Sequence, residues 1–195
     1  MAEKYYDPLS DMGRIKETLM SLFCDTEDIT KLIMPELDNP NFTWEQNWYG
    51  GTFDTTPLIG HCFDIPYLKG MITDNRCAIF IETNLIRVGN QHLKEVGVDI
   101  CVICHKDSVG LSPEEKAYYN SIGIYGNRVD CAIQAINSSI LHHQMMDTIK
   151  EKYSIGVMNL IEENPMKQYT DESEFYGKCL SYTYQTFYQR KNNVK

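Results

Sequence analysis

The sequence VGVDICVICH, residues 96–105, predicts the strand on which the fold is built. It is rich in β-branched residues, as expected of a strand inside a sheet. Successive side chains of a strand point to opposite faces, so Cys101 and Cys104 are expected to diverge. The face of Cys104 also carries three apolar side chains, Val98, Ile100 and Val102. We therefore expect Cys104 to face the helix that carries Ile133 and Ile136.

The same stretch contains C-x-x-C-H, the spacing of covalent haem attachment. Haem attachment requires both thiols and the histidine to converge on one side of the porphyrin, which an extended strand does not allow. A redox C-x-x-C pair lies at the N-terminus of a helix, and no helix is expected directly after His105. We therefore expect neither haem nor a redox pair.

A zinc site or a thiol nucleophile is an alternative use of these residues. The candidate side chains are His61, Cys62, Cys101, Cys104 and His105. If the positions around 61–62 and 101–105 met across strands, they could serve a cytosolic zinc- or thiol-dependent hydrolase. A structural zinc site normally has two paired ligand sets, however, and the chain has no second C-x-x-C. The sequence predicts no catalytic residue, no metal and no other cofactor, and favours small buried thiols at these positions.

The rest of the chain supplies further strands and helices. Strand-like runs occupy residues 58–66, 77–83, 155–162 and 175–189, and helical spacing of apolar residues marks residues 10–24, a short helix before Pro35, and residues 127–144. Ser112, Pro113 and Glu115 form a capping box that begins another short helix. These elements predict an α+β fold in a single domain over residues 1–195. A mainly antiparallel or mixed sheet is packed by an N-terminal helical pair and by the long amphipathic helix, and residues 190–195 are expected to form a flexible tail.

Residues 35–56 differ in composition from the rest of the chain. They are rich in Asn, Pro, Gly and aromatic residues and show no sustained period of 2 or 3.6, which predicts an extended loop or arm. Its aromatic side chains are Phe42, Trp44, Trp48, Tyr49 and Phe53. They could cover the core of their own subunit or contact a neighbour, and the sequence leaves both open. We take these five as the candidate interface.

Composition limits the partners. The 195 residues carry a net charge of −9 and no cluster of basic residues, so tight wrapping of nucleic acid is not expected. No run of apolar residues approaches the length of a membrane span, so no membrane contact is expected. The seven cysteines are scattered and odd in number, which predicts that most are reduced thiols in a protein made in the cytoplasm.

Four further stretches are informative together: RIKETLMSLFCDTEDITKLIMP, LKEVGVDICVICHKD, GNRVDCAIQAINSSI and YGKCLSYTYQTFYQ. They resemble the neck proteins of tailed bacteriophages, specifically the tail-terminator and tail-completion proteins. The resemblance implies a subunit without enzymatic activity that assembles as a ring, commonly a hexamer, between the head connector and the tail. The aromatic segment 35–56 and the long C-terminal strand depart from that family.

The leading hypothesis is therefore a structural virion protein of the phage neck, made in the host cytoplasm. It would join the head connector to the tail or terminate the tail, with further copies of itself and portal, connector or tail proteins as partners. DNA would pass through the ring channel without specific binding, because an acidic wall does not hold phosphates. Thirteen tyrosines and two tryptophans also favour assembly, since aromatic residues are enriched at interfaces.

Overall fold

The structure is a computed structural model that describes residues 10–36, 43–53, 56–58, 60–66, 72, 74–88, 93–145, 157–164, 167–168 and 174–187. These residues form one α+β domain, as predicted, with a mixed sheet and helices packed on it. The helices are α1 (Ser10–Cys24), α2 (Glu27–Ile33), α3 (Trp44–Tyr49), α4 (Pro113–Ser121) and α5 (Arg128–Met145). None of the helices in the described ranges has the length and apolar character needed to cross a membrane.

The strands form one small hairpin and one large sheet. They are β1 (Gly51–Phe53), β2 (Thr56–Leu58), β3 (Cys62–Phe63), β4 (Cys77–Val88), β5 (Leu93–His105), β6 (Met158–Glu163), β7 (Lys167–Gln168) and β8 (Phe175–Phe187). Strands β1 and β2 pair with each other, and the large sheet has the order β3-β4-β5-β8-β6, with β7 also paired to β8. All pairs are antiparallel except β3 with β4, so the sheet is mixed.

The predicted central strand is confirmed. Strand β5 lies between β4 and β8, and both neighbours follow it over nearly its whole length. Cys104 stands opposite Cys77 on the helix-covered face, in the same buried cluster as Ile133 and Ile136 of α5, as expected. Cys101 points to the other face, where it packs against a smaller apolar cluster around Phe80. The alternation of a strand therefore separates the two cysteines as the sequence predicted.

The core lies between the sheet and the helices. Helix α1 contacts β4, α5 contacts β5, β8 and β6, and α2 contacts α1 and α5. Leu19, Leu32 and Ile136 are fully buried there, and each such side chain contributes about 1.5–3 kcal/mol of transfer free energy. The N-terminal helical pair and the long helix are thus where the apolar periods predicted them.

The capping signals recognised in the sequence form the expected contacts. The Ser112 hydroxyl accepts a hydrogen bond from the Glu115 N–H, the Glu115 carboxylate accepts one from the Ser112 N–H, and Pro113 begins α4. A similar reciprocal pair begins α5. The Asp130 N–H donates to Asn127 Oδ1 at 3.0 Å, and the Asn127 N–H donates to Asp130 Oδ2 at 3.1 Å. Both caps satisfy backbone donors that a helix start otherwise leaves unpaired.

The prediction of a loop over residues 35–56 is wrong for much of that segment. Residues 44–49 form α3, and residues 51–53 form β1. The cause is a second capping box: the Thr43 hydroxyl accepts from the Gln46 N–H at 3.3 Å, and the Gln46 side chain accepts from the Thr43 N–H at 2.8 Å. Two local hydrogen bonds and the burial of Trp48 stabilise this helix, although it is too short to show a helical period in its sequence.

Four other predicted segments need correction or lie partly or wholly outside the described residues. Of the strand expected over 58–66, Leu58 is the last residue of β2, and Cys62–Phe63 form the two-residue β3. The strands expected at 155–162 and 175–189 are present as β6 and β8, with residues 155–156 and 188–189 outside the described part of the chain. The predicted flexible tail, residues 190–195, also lies outside it.

The expectation that most cysteines are reduced is wrong in this structure. Cys77 bonds Cys104 and Cys101 bonds Cys179. The remaining three, Cys24, Cys62 and Cys131, are free thiols. Each bonded pair stands directly opposite in an antiparallel ladder, which brings the Cα atoms of each pair to 4.0 Å. Pairing of strands that are distant in sequence is a tertiary outcome that cysteine spacing alone does not reveal.

Candidate functional site

The Cys and His side chains around 61–62 and 101–105 do not converge on one site. Cys101 and Cys104 form disulfides on opposite faces of the sheet. His61 is buried, with Nδ1 2.8 Å from the carbonyl oxygen of Cys77. Within the described residues, no group of three or more His, Cys, Asp or Glu side chains could hold a metal ion.

Cys62, the free thiol of this group, is in an environment that disfavours a thiolate. It is buried in the core under α3, and burial raises the pKa of the Cys62 thiol well above its usual value, with further contributions from the neighbouring Cys24 and Asp64. The reactive form of cysteine is the thiolate, and nucleophilic cysteines lie in sites that lower the thiol pKa. Cys62 therefore packs as a small apolar side chain.

His105 joins the end of β5 to the segment that begins β8. Its Nδ1 accepts a hydrogen bond from the Asp107 N–H at 3.3 Å, so Nε2 carries the proton that is donated to Glu174 Oε2 at 3.0 Å. Glu174 also pairs with Lys106, and these two hydrogen bonds, that of Lys106 first, lower the pKa of the Glu174 carboxyl. Both ring nitrogens thus hold structural partners at the end of the strand.

The aromatic candidate interface divides between core and surface. Trp48 is fully buried and packs in the main core, so its assignment to an interface with another subunit is wrong. Trp44 is half-buried against the same core, and Tyr49 is partly exposed. Phe42 and the side chain of Phe53 lie outside the described residues. Of the two alternatives that the sequence left open, cover for the subunit's own core holds for Trp48.

Gly60 explains how the chain passes so close to α3. A Cβ atom at residue 60 would lie 2.6 Å from the backbone carbon of Tyr49 and 2.8 Å from the carbonyl oxygen of Trp48. The next residue, His61, donates its N–H to that same Trp48 oxygen at 2.8 Å. Only glycine fits this approach, which fixes α3 and Trp48 over the end of the sheet.

Among the described residues, several exposed apolar side chains belong to α5, to the loop before it and to β6, and α5 contacts β6. We use the name β6–α5 edge for the exposed apolar side chains of these elements, which are Tyr125 beside α5, Leu141 on α5, Val157 beside β6, and Leu160 and Ile161 on β6. Val157, Ile161 and Tyr125 are 62%, 61% and 59% exposed. Isolated exposed apolar residues are ordinary, but a group of them on one surface marks a site of interaction.

Three contacts connect one face of α5 to the strands β6 and β8. On α5, the positions 130, 134, 137 and 141 follow one another at helical spacing. Asp130 pairs with Lys178, which also pairs with Glu163 of β6, and Asn137 accepts a hydrogen bond from Tyr182, which stands opposite Leu160. Leu141, one turn beyond position 137, extends the same stripe.

The loop between α4 and α5 holds Tyr125 in a fixed position. The Gln134 side chain donates to the Tyr125 carbonyl at 2.6 Å and accepts from the Tyr125 N–H at 3.3 Å. The loop turns at Gly123 and Gly126, whose φ angles of 83° and 120° favour glycine. A large exposed aromatic side chain on a rigid loop loses little conformational entropy on binding, which suits an interface anchor.

Arg128 follows this loop directly, and its sequence context does not predict that it is buried. It is buried at the start of α5 and donates to the carbonyl oxygens of Ser108, Leu32 and Gly110 at 2.8, 3.2 and 3.4 Å. Its Nη2 also binds both carboxylate oxygens of Glu115, at 2.9 and 3.0 Å. No local signal marks an arginine beside a capped helix start as buried, because its partners come from three other segments.

The face of the sheet opposite the helices carries an acidic row. Glu82, Asp99, Ser181 and Glu162 are register neighbours across β4, β5, β8 and β6. Glu82 and Glu162 are exposed, and Asp99 accepts a hydrogen bond from the Ser181 hydroxyl at 2.6 Å. The row therefore presents carboxylates to solvent and contains no basic side chain.

Comparison with known proteins assigns the chain to a family. No curated protein matches the chain itself. The model of the YomW family matches residues 19–184, which extend from α1 through most of β8. Because this match includes most of the chain and every layer of the fold, the chain belongs to the phage-derived YomW family.

Proposed function

We propose that the protein is a structural component of the phage neck, which forms a ring that joins the head connector to the tail or terminates the tail. The observation that carries the proposal is the β6–α5 edge, the group of exposed apolar side chains carried by α5, the loop before it and β6, in a chain of a phage-derived family. Obligate interfaces between subunits are built from such surfaces. No enzymatic activity and no cofactor are part of the proposal.

The acidic row supports a ring around DNA. Repeated in each subunit, Glu82 and Glu162 would give the ring a band of negative charge on the sheet face. Phosphate contacts strengthen with the number of basic side chains, so a wall without them lets DNA pass without binding it. The net charge of −9 acts in the same direction.

The hydrolase alternative receives no support from the geometry. Its Cys101 and Cys104 are bonded to other cysteines, and burial keeps the Cys62 thiol protonated. The sheet also places Cys101 on the face opposite Cys62 and Cys104.

Mass spectrometry of purified, salt-washed virions from a phage that encodes this chain tests the neck role. We expect the protein in the virion at a copy number that matches a ring, commonly six. We also expect a nonsense mutant to accumulate DNA-filled heads and separate tails, and a plasmid copy to restore joining. Absence of the protein from washed virions, or normal joining in the mutant, would contradict the proposal.

A further inference from the structure

The turn after β5 is held at its start by the ring of His105. Residues Lys106–Ser108 form a single 3₁₀ turn, and His105 Nδ1 accepts a hydrogen bond from the Asp107 N–H at 3.3 Å, in the manner of a helix cap. The turn is also connected to the start of α5, because Arg128 donates its Nε–H to the Ser108 carbonyl oxygen at 2.8 Å. The contact at Nδ1 therefore lies in the connection between the sheet and α5.

This contact requires the neutral form of the ring. Neutral imidazole has one nitrogen that accepts and one that donates, whereas both nitrogens of imidazolium donate. With Nδ1 as the acceptor, His105 Nε2 carries the proton and donates to Glu174 Oε2 at 3.0 Å. Protonation of Nδ1 would place two N–H groups against each other, so the cap on the Asp107 N–H is lost in the charged form.

A second partner for Nδ1 lies close to the first. Asp107 Oδ2 is 3.5 Å from Nδ1, so a small movement of the turn is enough to form a charge-assisted hydrogen bond. That oxygen accepts a hydrogen bond from Asn75 Nδ2 at 3.5 Å, which is a long and weak contact. The charged ring would thus bind two carboxylates, those of Asp107 and Glu174.

Two basic residues adjoin His105, and each is paired with a carboxylate. Lys106 belongs to the turn itself, and its ammonium pairs with Glu174. Arg76 precedes β4 and pairs with Asp74, while its carbonyl oxygen accepts the backbone N–H of His105 at 3.2 Å. Among the described residues, the ring therefore has two carboxylates as direct partners, and the neighbouring cations are neutralised by carboxylates.

We propose that His105 is a proton switch in the turn that follows β5. In the neutral form Nδ1 caps the Asp107 N–H, and in the charged form Nδ1 pairs with the Asp107 carboxylate. The exchange takes up one proton from solvent and needs no other reactant. Histidine suits such an exchange, because the charge of this residue type ordinarily changes between about pH 5 and pH 8. The inference does not depend on the proposed neck role.

An NMR titration of the full chain between about pH 5 and pH 8 tests the switch. The ring of His105 is followed through its Cε1–H signal, and the turn is followed through the backbone amide of Asp107. We expect both signals to move with a common midpoint. Protection of the Asp107 amide against hydrogen exchange, relative to the intrinsic rate at each pH, should fall about fivefold in the charged form, as the loss of one hydrogen bond predicts.

Two results of this titration would overturn the proposal. One is a ring that changes its charge while the Asp107 amide signal and its protection stay the same. The other is a His105 ring that keeps one charge state across the whole range.

Two variants separate His105 from the other titrating groups. In His105→Asn, the side-chain oxygen takes the place of Nδ1 as acceptor and does not titrate, so the Asp107 amide should keep its high-pH signal throughout. His142→Asn removes an exposed histidine near the end of α5, away from the turn, and should leave the titration of the Asp107 amide unchanged. A pH dependence of the Asp107 amide that persists in His105→Asn would show that a carboxyl group causes it, and would refute the switch.

Discussion

Replacement of Arg128 by Met tests how the α4–α5 region is held. The guanidinium donates to the Leu32, Ser108 and Gly110 carbonyl oxygens and to both oxygens of Glu115. Methionine fills much of the same volume and removes every donor. The buried Leu32 carbonyl then loses its side-chain partner, and Glu115 loses its cation.

The expected loss of stability follows from these contacts. An unsatisfied buried acceptor costs about 1–3 kcal/mol. The Glu115 side chain is 29% exposed, so solvent reduces the value of the ion pair to about 1 kcal/mol. The sum predicts that Arg128→Met lowers the free energy of unfolding by about 2–4 kcal/mol, measured by urea denaturation.

Two control variants separate the contributions. Glu115→Gln keeps the three carbonyl contacts of Arg128 and an acceptor for the Ser112 N–H, and should cost about 1 kcal/mol. Lys116→Met alters an exposed residue of the same helix and should change stability by less than about 0.5 kcal/mol. A cost for Arg128→Met below that of Glu115→Gln would refute the view that the carbonyl contacts dominate.

Further predictions concern pH, close packing and the disulfides. Burial alone would raise the pKa of Glu115, but its hydrogen bond from the Ser112 backbone and the Arg128 cation outweigh burial and hold that pKa below the usual 4.5. The stability contributed by ionised Glu115 is therefore complete above about pH 4.5 and is lost as the pH falls through the lowered value, and Glu115→Gln should remove this part of the acid dependence of the unfolding midpoint. Gly60→Ala should cost about 2–3 kcal/mol in chemical denaturation, because its Cβ would meet backbone atoms, whereas Gly97→Ala should cost less than about 1 kcal/mol, because only flexible side-chain ends are in the way. Similar costs for both glycines would contradict this explanation. Graded reduction followed by alkylation and mass spectrometry should open the half-buried Cys101–Cys179 pair before the pair inside the helix-covered core; the reverse order would show that solvent exposure does not control access.

Several features of the fold could be predicted because they depend on local regularity. The alternation in residues 96–105 gave the two faces of β5, and apolar spacing gave α1, α2 and α5. The capping box of α4 was recognisable for the same reason, since all its atoms lie within four residues. The T-x-x-Q at Thr43 carried the same signal and would have predicted α3, but the surrounding loop-like composition obscured it.

The sequence by itself determined the fold class, the central strand and the separation of Cys101 from Cys104, because periods of 2 and 3.6 set which side chains share a face. Only the tertiary structure decided which cysteines meet, that Trp48 lies in the core, and that Arg128 connects three segments. It also decided that β6 is the last of the described strands at one end of the large sheet and that Tyr125 and Leu160 are exposed. Each of these features depends on strand order and on contacts between residues that are distant along the chain. The packing of whole elements sets both the strand order and the contacts, and neither produces a period in the sequence.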